Sequence, residues 1–266
     1  MKEFKRNVRT TVSPGFKKQI LKMVLARVDF GPLFSFESIV GPYQEKFQPN
    51  YPDASVEETP GYDIDIKNIR TPKVSVRELV KTFCLYNPME KKKLKFSSNS
   101  LILEHHTYVS FETFLGELDQ ALSFLFKSKE QVFTPKRIGL RKVASVVLPE
   151  TETLDSFADV FNDALVQHLK IPFVDRSLQN DKHLLSFSID EIGVNFQFSS
   201  EKGSQEQKGA RRFVLDFDVY TRHLESNVDT CLELYKRMND LQFDIFWWSI
   251  GPRLERYLHG ESTEFD

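Results

Sequence analysis

Residues 213–221, FVLDFDVYT, line up with residues 101–109, LILEHHTYV, at an offset of 112 residues. In the second stretch Leu215, Phe217 and Val219 alternate with Asp216 and Asp218, the period-two pattern of a half-buried strand. The elements around each stretch follow the same order. "KQILKMVLARVDF" reads as a strand, with helix as its rival, before the stop at Gly31–Pro32. "SFESIVGPYQEKFQPNYP" reads as a helix capped by Ser35 and bent at Gly41–Pro42. "TFCLYN", "KLKFSS" and "SLILEHHTYV" are strands, the last two joined at Ser98–Asn99. Ser110 opens the helix "SFETFLGELDQALSFLF", whose Phe111, Phe114, Leu115, Leu118, Leu122, Leu125 and Phe126 recur every three or four residues.

The second half repeats this order. "KRIGLRKVASVVLP" is a long strand, and "LDSFADVFNDALVQHL" a single helix with Phe157, Val160, Phe161, Leu165 and Leu169 on one stripe. "HLLSFSID", "GVNFQFSS" and "RRFVLDFDVY" are strands, with a flexible hairpin loop at 201–209. A helix capped by Asn227 then runs to about Ile250, breaks at Gly251–Pro252 and resumes as "RLERYL". Residues 53–73, acidic and broken by Pro and Gly, read as a loop.

The predicted fold class is therefore α+β: two tandem β-α-β-β-β-α units forming an antiparallel sheet backed by helices. The expected organisation is a basic segment over 1–19, a first unit over 20–130 and a second over 131–266. The order resembles the TATA-binding-protein type of fold, a pseudo-dimeric tandem repeat, as a likeness of topology only.

Four stretches carry a family resemblance: "YQEKFQPNYP", "TPKRIGLRKVASV", "FVLDFDVY" and "FDIFWWSIGPRLERYL". On these the chain resembles a sporadically distributed prokaryotic family of proteins of about this length. The resemblance implies a compact cytoplasmic α+β protein from variable gene neighbourhoods and implies no particular reaction. A role in a defence or toxin–antitoxin-like system is the expectation that such a distribution suggests. The family commonly shows Leu-His about seven residues before the Phe of its last helix. Met238 and Asn239 stand there, ahead of Phe246.

Composition narrows the function classes. A chain of 266 residues with net charge -2 and pI near 6.3 is not built to coat nucleic acid over its whole surface. The two cysteines, Cys84 and Cys231, have no metal-like spacing and read as packed thiols in a reducing, cytoplasmic setting. No apolar run is long enough to span a bilayer. No nucleophile elbow, P-loop or dinucleotide fingerprint is present, so no catalytic residue, cofactor or metal is expected.

The candidate binding residues are polar ones on strands and aromatic ones on the last helix. Asp216 and Asp218 share a face roughly 6.5–7 Å apart. They fit the exposed side of a half-buried sheet, a partner-binding pair, or two ligands of a metal that lacks a third. Arg137 and Arg141 share a face of their own strand, and pairing with Asp216 and Asp218 explains both motifs together. Arg is equally suited to gripping a carboxylate or phosphate from a partner. Trp247 and Trp248 diverge by about 100° around the helix, so at least one is a candidate interface anchor.

His105 and His106, adjacent on a strand, face opposite ways, with one expected in the core and one outside beside Glu104. The other four histidines look scattered. Basic clusters at Lys2, Lys5, Arg6 and Arg9, and at Lys91, Lys92, Lys93 and Lys95, read as solvated segments able to touch phosphates. The expected role is a non-catalytic component with a protein partner. The alternatives are a nucleic-acid binder using the sheet, or a metal-dependent hydrolase centred on Asp216 and Asp218.

Overall fold

A computed structural model describes residues 16–33, 36–65, 73–126, 134–149, 154–170, 180–202, 210–222, 227–262 and 265. Among the described residues, nine strands form one antiparallel sheet in the order β2-β3-β4-β5-β1-β6-β9-β8-β7. The first five are β1 (Leu21–Phe30), β2 (Asp53–Asp65), β3 (Lys73–Asn87), β4 (Lys92–Ser97) and β5 (Ser100–His105). The others are β6 (Pro135–Pro149), β7 (Asn180–Ile189), β8 (Ile192–Lys202) and β9 (Ala210–Thr221). The helices are α1 (Phe36–Phe47), α2 (Phe111–Phe126), α3 (Leu154–Val160), α4 (Asp163–Val166), α5 (Val228–Ser249) and α6 (Pro252–Leu258). A 3₁₀ turn, Gln167–Lys170, follows α4 directly.

The chain divides into two compact units. One comprises the described residues within Val24–Gly139 and Thr221–Leu234. The other comprises those within Met1–Met23, Leu140–Tyr220 and Tyr235–Asp266.

In the Val24–Gly139 unit, alternation on β1 buries Val24, Ala26, Val28 and Phe30. Helix α1 lays Phe36 and Tyr43 on Phe96 of β4, with ring centroids 4.9 and 5.1 Å away, and α2 closes over Tyr43 and Phe47 with Phe124. Ser110 caps α2 by accepting the backbone N–H of Thr113. The two-residue turn at Ser98–Asn99 joins β4 to β5 as the sequence predicts.

Residues 53–73 differ from expectation. The described parts, 53–65 and Lys73, are strand, paired from Asp53↔Tyr86 to Asp65↔Lys73 with a register shift between Pro60 and Gly61. Pro and Gly mark a bulge in an outer strand there, where a missing N–H is tolerated.

In the other unit, Phe157 of α3 and Phe161 pack on Phe213 of β9, and Phe246 of α5 meets Phe217. The stretch expected as one helix over "LDSFADVFNDALVQHL" is three short pieces. Its stripe still faces inward, with Phe157, Val160, Phe161, Leu165 and Leu169 all buried. The break falls at Asn162, whose Oδ1 accepts the N–H of Ala164 and whose Nδ2 donates to the carbonyl of Trp248. A side chain that caps and crosslinks at once favours a new helix start over continuation.

Helix α5 starts where predicted, with Asn227 Oδ1 accepting the N–H of Asp229. The chain turns at Gly251 into α6, and Gly251 N donates to Val160 O at 2.8 Å. Gln242 of α5, fully buried, donates to the carbonyls of Leu140 and Phe217 and so fixes the helix over β6 and β9.

Candidate functional site

Three groups of side chains in the described residues can carry chemistry or recognition. The first is the polar face of β6 and β9. Arg141 donates through Nε and Nη2 to both carboxylate oxygens of Asp216, at 2.8 and 2.6 Å. The bidentate fork uses both acceptor edges of that carboxylate, and Asp216 is only 9% exposed. Asp216 is thus engaged by arginine, and among the described residues no third metal-type ligand joins it and Asp218.

Asp218 accepts a long hydrogen bond, 3.4 Å, from Asn195 of β8, and Arg137 lies 3.8 Å from Asp29, which Arg27 also contacts at 2.7 Å. Arg212 bonds Ser145 and Glu201 on the same face as Asp216. Asn239 is buried and accepts from the ammonium of Lys142, which points inward from β6.

The aromatic candidates are half-buried. Phe16 lies against Phe243 and Trp247, with centroids 6.0 and 6.4 Å away, and against His259. The carbonyl of Trp248 is the one held by Asn162. The Trp247 ring therefore packs against Phe16, and at Trp248 it is the backbone that is held. The N-terminal basic residues Lys2, Lys5, Arg6 and Arg9 lie outside the described residues.

The second group surrounds Glu117 of α2. Its carboxylate accepts from Tyr51 Oη at 2.8 Å and Lys92 Nζ at 3.2 Å. His105 Nε2 lies 3.3 Å from Glu117 Oε2, an ion-pair distance outside hydrogen-bond geometry. Burial alone would raise the Glu117 carboxyl, yet His105, Tyr51 and Lys92 together hold it down at about 2. Burial, and then the Glu117 charge, push the Tyr51 phenol far above its ordinary range.

Lys92 also pairs with Glu90 at 2.6 Å and lies over the Tyr51 ring. Lys95 pairs with Glu57 at 3.0 Å. The lysine run is therefore not one solvated patch, because Lys92 sits on the inward face of β4 with Leu94 and Phe96. His105 and His106 divide as expected: His105 is buried edge-on to Phe114, and His106 is outside, 2.6 Å from Glu104.

The third group was not legible in the sequence. His168 of the 3₁₀ turn meets Asp181 and His183 of β7, with His168 Nε2 2.7 Å from Asp181 Oδ2 and His183 Nε2 3.0 Å from Asp181 Oδ1. The histidines expected to be scattered thus include one convergent pair. Asp181 and His183 are two residues apart on a strand, but nothing in the chain's spacing announces His168.

Strand β7 itself is unusual. It pairs with β8 on one side and ends the sheet order. Leu185 and Phe187 lie opposite Phe196 and Val194, which are each 1% exposed, yet they are 47% and 41% exposed themselves. Leu184, on the other face, is 59% exposed.

No family model matches the chain, and no curated protein matches it. Two solved structures of S. pombe Pct1 RNA triphosphatase align to it at 10% and 8% identity. They cover 90% and 92% of this chain and 81% and 88% of theirs, the second being the complex with the Spt5 CTD. Their TM-scores are 0.13 and 0.14, superpositions too poor to bear on fold or function. No helix among the described residues is long and apolar enough to cross a membrane.

Proposed function

We propose that this chain is a non-catalytic cytoplasmic binding component of a variable prokaryotic system, and that it takes an extended segment of a second protein along β7. The carrying observation is the pair Leu185 and Phe187. They belong by strand parity to the face that is core on β8, yet they are half exposed at an edge that, among the described residues, is paired on one side. An added strand would satisfy the outward backbone groups of β7, and its side chains would cover the apolar pair. Burying the exposed parts of Leu184, Leu185 and Phe187 is worth on the order of 3 kcal/mol. The Arg141–Asp216 pair and Trp247 take structural roles in this reading, because their partners lie within the chain.

Two further proposals concern architecture. The strand orders β3-β4-β5-β1 and β6-β9-β8-β7 mirror one another, each with its leading strand beside its last. This supports tandem units over 20–130 and 131–266, the first extended by β2, and the pseudo-dimeric likeness read from the sequence. The nucleic-acid alternative calls for a basic, aromatic sheet face. The polar face of β6, β8 and β9 instead sets Arg141 and Arg212 against Asp216, Asp218 and Glu201.

The test is co-expression of the full chain with the products of its neighbouring genes, followed by native mass spectrometry. A stoichiometric complex is expected, lost in Phe187→Asp while the thermal unfolding midpoint of the chain is kept. No complex with any neighbour, a complex that survives Phe187→Asp, or a homodimer that this substitution breaks would each overturn the proposal.

A further inference from the structure

We infer that His168, Asp181 and His183 form a binding site for a borderline divalent transition metal of the zinc class, independent of the docking role of β7. The three residues each offer one ligand atom, and these atoms all lie within 4.8 Å of one another. Their closest approaches are 2.7 Å, 3.0 Å and, between the two Nε2 atoms, 3.0 Å.

Zinc bonds of about 2.0–2.2 Å to imidazole nitrogen and carboxylate oxygen set neighbouring ligand atoms about 3–3.5 Å apart. The group therefore needs to open by only a few tenths of an ångström to close around an ion. Two Nε2 atoms this near cannot both carry protons directed at each other. Two imidazole nitrogens and both oxygens of one carboxylate thus converge on one small space, the donor set a dication takes.

The local fold presents these ligands. Asp181 and His183 are alternate residues of β7 and so share a face. Asp181 pairs in register with Ser200 and His183 with Phe198, both buried, so this is the helix-covered face of the sheet. His168 reaches it from the 3₁₀ turn, which is anchored by buried Leu169 within it and by buried Leu165 and Val166 just before it.

The donor set of two imidazoles and one carboxylate suits zinc and its neighbours better than magnesium or calcium, which prefer oxygen shells. The side chains of His168 and His183 are 27% and 43% exposed, which leaves a coordination position open to solvent. An exchangeable ion with three protein ligands follows, rather than a closed structural site. When bound, it ties the 3₁₀ turn to the first residues of β7.

The experiment titrates zinc chloride into the chelator-stripped full chain by calorimetry. One ion per chain is expected, with binding at least tenfold weaker in His183→Asn and unchanged in His106→Asn, which breaks the separate imidazole–carboxylate pair with Glu104. His183 is partly exposed, and an unchanged metal-free unfolding midpoint confirms that the variant is folded. Cobalt in place of zinc should give visible d–d bands without thiolate charge transfer. Absence of binding, equal binding by His183→Asn, or a thiolate band pointing to Cys84 or Cys231 would each overturn the assignment and leave a hydrogen-bonded His–Asp–His cluster.

Discussion

Asp216 and Asp218 stand two residues apart on one strand, and their surroundings give them different partners. Asp216 is forked by Arg141, and Asp218 is contacted by Asn195 at longer range. The sequence made the Arg141–Asp216 pair legible because strand parity puts Arg137, Arg141 and both aspartates on polar faces, but Arg137, expected to pair there too, lies 3.8 Å from Asp29. It did not disclose Glu117, whose partners Lys92 and Tyr51 are 25 and 66 residues away at no recurring interval.

Glu117 has a definite pH signature. Its carboxyl lies at about 2 in the folded chain against an ordinary 4.5. A lowered folded value means a contribution that is complete above pH ~4.5 and lost as pH falls toward ~2. Glu117→Gln should therefore lower stability by about 1–2 kcal/mol at neutral pH, after allowance for solvent screening. The difference between wild type and variant should shrink on acidification and vanish near pH ~2. Thermal unfolding of both proteins across that range checks it, and a gap independent of pH would contradict it.

At the scale of elements, the helices and hairpins were readable because their caps and turns are local. Ser110, Asn227 and the Ser98–Asn99 turn act within a few residues. The break at Asn162 was hidden because half its cause, the carbonyl of Trp248, lies 86 residues away. The same junction explains Gly251. A Cβ there would collide with the backbone of Asp159 and Val160, the end of α3 against which the α5–α6 turn packs. Backbone cannot step aside as a flexible side chain can. Gly251→Ala should therefore cost on the order of 2–3 kcal/mol, as overpacking does. Chemical denaturation measures this, and a change within ~0.5 kcal/mol would mean that the turn is not held as described.

At the scale of the molecule, alternation and turn chemistry predicted an α+β protein with an antiparallel sheet, and the nine-stranded order agrees. Strand β2 escaped because Pro60 and Gly61 in an acidic stretch read as loop chemistry, and only pairing with β3 makes that stretch a strand. The edge character of β7 escaped for a related reason. The sequence "HLLSFSID" carries apolar residues of a paired strand, and only the sheet order reveals that, among the described residues, one side has no neighbouring strand. That difference between pattern and position is the basis of the docking proposal. Its most direct test is amide hydrogen exchange over residues 180–189, free and in the co-expressed complex. The account predicts fast exchange at the outward amides of β7 in the free chain and marked slowing in the complex, strongest around Leu185 and Phe187. Slowing confined to the β6–β9 polar face or to α5, with β7 unchanged, would contradict it.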